Sequence, residues 1–337
     1  MARSEATRAF PDLLVSGAEH RVGHGALRHL LRFARRRKLG ALGVVLVVLV
    51  VTVAVLAPLI QRYDDNYQFV TRNPNYVAPQ AGGQSLLAQL QQGKSERDLH
   101  EFVTDRFQPP SHKHWLGTDQ FGRDIYARIV VGARLAVLIG VFASLIAVAA
   151  GLVFGVVSGY FGGVVDLVIQ RFVDGLQAFP ALVLLMLIVQ LWEQPPLWVT
   201  IAALGFLGWA VAVRIVRAAV LSVAAQPYIE AARSFGATNL RIMLRHVLPN
   251  IVAPVIVVFS ISIGTYILAE ASLSFLGLGP ADKTTWGKMV NAGRNQLDLH
   301  PWESLFSGLA ITLTVLGFNL AGDAIRDELD PRLRGGR

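Results

Sequence analysis

Gln226-Pro-Tyr-Ile-Glu-Ala-Ala-Arg-Ser-Phe-Gly-Ala-Thr-Asn-Leu-Arg-Ile-Met-Leu-Arg-His-Val-Leu-Pro-Asn250 stands between two apolar runs, 197–216 and 251–273, and is itself too polar to enter lipid. Pro227 suits the first position of a helix, where its missing N–H leaves no bond unmade. A short amphipathic segment follows from Tyr228 to Phe235, and Gly236 can take the left-handed conformation that ends it. Thr238 or Asn239 can then cap a second short helix directed toward Pro249. The pattern is a compact helix–turn–helix lying across one face of a membrane, between two spans.

The rest of the chain agrees with lipid as its main solvent. Of 337 residues, 53% are hydrophobic and only 16% charged, where soluble domains carry about 25%; the mean hydropathy is +0.48. Runs long enough to cross the hydrocarbon core, about 20 apolar residues each, fall at 39–60, 135–157, 172–192, 197–216, 251–273 and 305–324. Glu193-Gln194-Pro195-Pro196 separates the third from the fourth and stops helix continuation, which makes them an antiparallel pair. The expected fold class is therefore an all-α membrane protein with six transmembrane helices. It divides into a basic tail (1–38), a first span (39–60), an insert with a lead-in to the second span (61–134), a five-helix core (135–324) that includes the polar loop 218–250, and a tail (325–337).

Basic residues orient the bundle. Nine lie in the first 39 positions, ending in Arg35-Arg36-Arg37-Lys38; none lies in the 193–196 turn, five lie between Arg214 and Arg245, and four lie in the C-terminal tail. Positive residues concentrate on the cytoplasmic side of short loops, so both termini and the 226–250 loop are expected inside. The insert also holds nine basic residues, but it is long and balanced by acids, and is expected outside. Because the basic residues flank spans, the net charge of +8 does not call for nucleic acid. The polar leader before the first span is too long for a cleavable signal. In the second span Ala143, Ala147, Gly151, Gly155 and Gly159 form one small-residue stripe, suited to close helix packing within the chain, or against a partner or a moving gate.

Glu230-Ala231-Ala232, then Gly236, then Leu248-Pro249, resemble the EAA loop of ABC importer permeases. The Arg-His-Val-Leu-Pro-Asn form is similar to the peptide-transporter branch, although His246 stands where the broader family tends to have an aliphatic residue. Three further stretches, and a turn near the end of the fifth span, resemble the second permease of dipeptide, oligopeptide and nickel importers. They are Trp115-Leu-Gly-Thr-Asp-Gln-Phe-Gly-Arg-Asp-Ile-Tyr-Ala-Arg128, Tyr160-Phe-Gly-Gly-Val-Val-Asp166, Gly322-Asp-Ala-Ile-Arg-Asp-Glu-Leu-Asp-Pro-Arg332, and the turn Leu273-Ser-Phe-Leu-Gly-Leu-Gly279. The resemblance extends over about two-thirds of the chain, roughly 113–334. It implies the type I importer permease fold in a bacterial cytoplasmic (inner) membrane, with Glu230, Ala231, Ala232, Gly236, Leu248 and Pro249 coupling to an ATPase. Gly117, Thr118, Asp119, Gly122, Arg123 and Asp124 form the family signature before the second span. The implied partners are a homologous second permease, one or two P-loop ATPase subunits that hold ATP and magnesium, an extracytoplasmic substrate-binding protein, and a peptide substrate. Dipeptides, longer peptides, nickel chelates, opines and glutathione-like molecules all fit the branch.

Within this chain the residues offer no chemistry of their own. No G-x-x-x-x-G-K-[ST] phosphate loop occurs, nor H-E-x-x-H, nor a G-x-S-x-G elbow. There is no cysteine, which excludes disulfides and thiolate sites. His112 and His114 flank Lys113 without a nearby carboxylate set, so neither a metal nor a cofactor is expected. Polar residues at membrane depth are the remaining candidates. Ser262 and Tyr266, four apart on the fifth span, and Glu270 beyond them, are candidates to line a wetted path. Gln177, Ser260, Thr265, Thr312, Thr314 and Asn319 also qualify, though Ser and Thr bond back to their own helix readily. The insert, with Asn73-Pro74, Gly82-Gly83 and an amphipathic run from Leu86 to Phe107, suits a cap on the bundle or a dock for the binding protein. A secondary transporter would need inverted repeats, broken midplane helices and buried charged relays, and a membrane-anchored enzyme would need a larger insert.

Overall fold

The computed structural model describes residues 38–72 and 102–329. The basic tail before Lys38, the Asn73-Pro74 and Gly82-Gly83 breaks, the amphipathic run up to residue 101 and the tail from 330 lie outside the described residues. The helices are α1 (Lys38–Ile60), α2 (Ile125–Phe161), α3 (Gly163–Gln177), α4 (Ala181–Gln190), α5 (Leu197–Ala224), α6 (Pro227–Ser234), α7 (Asn239–Ile242), α8 (Leu248–Phe275), α9 (Trp286–Gly293) and α10 (Trp302–Leu329). A single π turn, Met243–Val247, joins α7 to α8, and a two-stranded antiparallel ribbon pairs β1 (Val70–Arg72) with β2 (Phe102–Thr104).

Five of these helices, counting 239–275 as one, are long and apolar enough to cross a membrane, and the bent pair α3–α4 makes a sixth span. The second span outruns the 135–157 expected for it. At 37 residues and 1.5 Å per residue it is about 55 Å long, well beyond a hydrocarbon core of about 30 Å. Its polar start is held by Asp124, whose Oδ1 accepts from the Ala127 amide at 2.9 Å. The third span departs further from expectation. The straight helix expected over 172–192 is two helices, 83° apart, broken at Ala178-Phe179-Pro180. Pro180 has no amide to donate and disfavours helical backbone at Phe179.

α2 is the central element, packing on α5, α1 and α8. Its small-residue stripe meets α5 within the chain: a Cβ on Gly155 would lie 2.7 Å from Val216 Cβ, and one on Gly159 would lie 2.9 Å from Val220 Cβ. Apolar burial gives no net drive between helices in lipid, so close backbone approach of this kind is what brings them together. A second core joins α1, α2, α8, α9 and α10 around Ala133, Ile263, Ile267, Trp286, Met289 and Phe318. There the Trp286 ring lies on Gly132 and its Nε1 donates to the Ile129 carbonyl at 3.0 Å.

Candidate functional site

At one end of the bundle the 226–250 segment forms the helix–turn–helix read from the sequence. Pro227 occupies the first turn of α6. Gly236, at φ +77, makes the reversal that an L side chain would resist; the Ala237 amide donates to the Ala232 carbonyl at 3.1 Å across it. Thr238 caps α7 by accepting from the Arg241 amide. One face of this unit is seated in a core of Val216, Val220, Ile229, Ile242, Val247 and Ile251. The other face is open: Glu230, Ala231 and Gly236 are exposed, and Phe235 is 92% exposed.

The named loop residues thus divide. Glu230, Ala231 and Gly236 stand on the outer face beside Phe235, and Ala232 is half-buried against the core. Leu248 packs on the same core from the start of α8, with Pro249 exposed beside it. Pro249 has no amide for the helical ladder, and the turn that precedes it widens to i→i−5, with the Leu248 amide donating to the Met243 carbonyl.

The loop is tied to the neighbouring helices by residues that the resemblance quoted without a role. Tyr160, next to last in α2, donates its hydroxyl to Asn239 Oδ1 at 2.9 Å. Arg233 Nη2 lies 3.5 Å from the same hydroxyl, with its guanidinium over the ring. After the Gly162-Gly163 turn, Asp166 receives a two-pronged pair from Arg217 of α5 and a hydrogen bond from Ser158. Asp174, nearer the bend, pairs with Arg214 at 2.7 Å and Arg171 at 3.9 Å.

A groove of about 990 Å³ opens between α4, α5, α8 and the last turn of α10. Leu182, Leu185, Leu207, Val211 and Val257 make it mainly apolar, with Ser262, Thr265, Tyr266, Asn250 and Arg326 as polar points. Ser262 and Tyr266 therefore share one wall, and the Tyr266 ring lies against Gly208. Pro254, which has no amide to offer the Asn250 carbonyl, lines the groove beside Asn250. Ser260 and Thr265 bond back to Ile256 and Ile261, and Thr312 to Gly308.

Glu270 does not join this lining, which corrects its grouping with Ser262 and Tyr266. Each step of four residues turns the helix face by about 40°, and at Glu270 that face meets α9. The side chain is 2% exposed and accepts from Ser274 Oγ at 2.5 Å, with Thr285 beside it. Thr285 in turn caps α9 by accepting from the Lys288 amide. Burial holds the Lys288 ammonium below the usual lysine range, opposed by Glu270, and its Nζ donates to the Pro280 and Lys283 carbonyls.

At the opposite end, the 117–124 signature fastens the start of α2. Asp119 accepts from the Phe121 and Arg123 amides and from Arg123 Nε at 2.7 Å, and it faces Arg128 at 3.8 Å. Thr118 donates to the Asp105 carbonyl and accepts from the Gln108 amide. A Cβ on Gly117 would meet the Gln108 carbonyl, and the Gly122 carbonyl receives the Phe69 amide beside the ribbon. Asp124 completes the knot with His114 Nδ1 at 2.9 Å. Each of these bonds is internal to the chain, so the signature reads as a fastening. Among the described residues no cluster of three or more His, Asp or Glu could hold a metal ion.

Comparisons with known proteins agree with this architecture. Residues 151–335 match the family model described as "Binding-protein-dependent transport system inner membrane component". The chain is 43% identical over 232 residues to the dipeptide transport system permease protein DppC of Alkalihalophilus pseudofirmus, covering 68% of this chain and 76% of that protein. It is 40% identical over 227 residues to the oligopeptide transport system permease protein OppC of Bacillus subtilis, covering 67% and 74%. To the glutathione transport system permease protein GsiD of Pectobacterium atrosepticum it is 42% identical over 226 residues, covering 67% and 75%. Its fold is similar to a chain of the MetNI methionine ABC transporter in an inward-facing structure, with a TM-score of 0.51, 18% identity, and coverage of 60% of this chain and 96% of that one. The chain belongs to the family of inner-membrane components of binding-protein-dependent transport systems, and it crosses that membrane several times.

Proposed function

We propose that this chain is one permease subunit of an ATP-driven importer of peptides, working beside a homologous second permease, P-loop ATPase subunits and an external substrate-binding protein. The observation that carries the reading is the pairing of two features in one subunit. The helix–turn–helix presents an exposed face with Glu230, Ala231 and Phe235, and a groove opens along α5 and α8 from Asn250, where the loop segment ends. In this reading the loop faces the cytoplasm and docks on an ATPase, both termini lie inside, and the groove is half of a pathway that the second permease completes. The mostly apolar wall with spaced hydroxyls suits passage of peptides of varied side chain better than tight binding of one molecule. Names of relatives divide between dipeptide, oligopeptide and glutathione systems, all compounds with amide backbones.

ATP and magnesium belong to the partner subunits. Closure of two ATPases would move the loop and shift the permease pair between inward- and outward-facing states, a population shift that requires different contacts in each. The test is affinity purification of the tagged chain from mild detergent, then reconstitution with the proteins that accompany it. Recovery of a second permease and an ATPase, with ATP-dependent uptake of an isotope-labelled peptide digest, is the expected result. A chain that purifies alone and transports without ATP overturns the proposal.

A further inference from the structure

We propose that Tyr160 is the positioning residue through which movement of the 226–250 loop reaches the transmembrane core; the inference rests on the coupling role proposed above and names the contact that carries it. Three observations place it there. First, Tyr160 sits at the end of α2, the helix that packs on α1, α5 and α8. Displacement of its last turn is therefore felt by much of the bundle.

Second, its hydroxyl meets both halves of the loop. It donates to Asn239 on α7 and lies within reach of Arg233 on α6, on the two sides of the Gly236 reversal. The ring meanwhile packs on the core that holds Ile229 and Val220. A phenol is suited to this because the ring is apolar and its hydroxyl can donate and accept at once.

Third, the next residues carry the connection onward. Beyond the two-glycine turn, Asp166 is bonded to Ser158 of α2 and to Arg217 of α5. Loop, α2, α3 and α5 are therefore joined within seven residues, 160–166. α3 leads through the 83° bend into α4, and α4 and α5 are walls of the groove. The contact network is continuous from the loop to the groove.

A residue that only stitched the loop in place would, when lost, lower complex recovery, ATP hydrolysis and transport together. A transmitting residue separates them. The complex, containing its second permease, ATPases and binding protein, is reconstituted in liposomes, and uptake of an isotope-labelled peptide digest is divided by ATP hydrolysed. Tyr160→Phe keeps the ring and removes the hydroxyl. It is expected to lower peptide moved per ATP by about fivefold or more, the low end of coupling free energies, while complex recovery and ATP hydrolysis stay within about twofold. Asn239→Ala should do the same, the double variant should be no worse than either alone, and Asn239→Asp, which keeps an acceptor, should restore most of the ratio. An unchanged ratio in Tyr160→Phe overturns the inference, and so does a proportional fall of all three quantities. Glu230→Lys is run alongside: if it leaves ATPase recovery intact, the docking role of the loop fails on its own evidence. A wild-type complex that moves no peptide sinks the transport reading and the inference with it.

Discussion

Arg217 of α5 reaches Asp166 of α3 with both prongs of its guanidinium, Nε to Oδ1 at 2.6 Å and Nη2 to Oδ2 at 2.5 Å. The pair sits at the loop end of the bundle, with Ser158 of α2 donating to the same carboxylate. It closes the α2–α3 turn and fixes where the broken third span starts. A fork onto a carboxylate requires a planar guanidinium and is not reproduced by an ammonium. Arg217→Lys, despite keeping the charge, should therefore cost about 0.5–1 kcal/mol, the pair being partly open to solvent. Asp166→Asn should cost a similar amount. Thermal unfolding of the purified subunit checks this, and an unshifted midpoint in Arg217→Lys would remove the fork's structural role.

The spacing of small residues in α2 leads to a second expectation. A Cβ on Gly155 would come within 2.7 Å of Val216 Cβ, whereas one on Gly175 in α3 meets nothing within 4 Å. Gly155→Val should thus force α2 from α5, a strain of about 1–3 kcal/mol, and lower the yield of monodisperse protein in size-exclusion chromatography. Gly175→Ala should leave it unchanged. Equal behaviour of the two variants would mean that the stripe is not what joins these helices.

Much of this architecture is legible in the sequence because lipid imposes simple rules. Apolar length marks the spans, and Pro227, Gly236 and Thr238 each stand where helix ends require them. The stripe at 143–159 announces close packing but not its partner, since any small-residue face could serve. Pro180 stands at the bend, yet the mainly apolar stretch 172–192 reads as one span. Whether a chain turns by 83° there depends on what α3 has to meet, and Arg214 and Arg217 lie some forty to fifty positions further on. Likewise Glu270 shares a helical face with Ser262 and Tyr266 in the sequence, and only the docking of α9 hides it. The role of Tyr160 rests on Asn239 and Arg233, more than seventy positions away, so its motif marked the position without explaining it, whereas the partners of Asp119 lie within its own motif.

Glu270 offers a clean separation of structural from pathway roles. Its carboxylate receives the Ser274 hydroxyl, and Thr285 beside it caps α9. Glu270→Gln keeps an acceptor for this hydroxyl and should retain peptide uptake within about twofold and a near-native melting temperature. Glu270→Leu leaves the buried Ser274 hydroxyl without that partner, a penalty of about 1–3 kcal/mol. A residue on the pathway would show the reverse pattern, with uptake falling in the glutamine variant while stability held.

The two faces of the loop should respond oppositely to substitution. Ile229 is 1% exposed in the core beneath α6, and Phe235 is 92% exposed at the turn. Truncating Ile229 to alanine removes buried contacts and should destabilise the loop by about 2–5 kcal/mol, visible as faster hydrogen exchange across α6 and α7. Phe235→Asp removes nothing that the isolated subunit uses, so its melting temperature should not move. Exposed aromatics of this kind are enriched at the centres of protein interfaces, where truncation commonly costs 2 kcal/mol or more, about thirtyfold in affinity. Recovery of the ATPase with the tagged subunit should fall accordingly in Phe235→Asp. If recovery is undiminished while the Ile229 variant loses it, the loop contributes a scaffold to the contact and the docking residues lie elsewhere on its exposed face, with Glu230 the next to change.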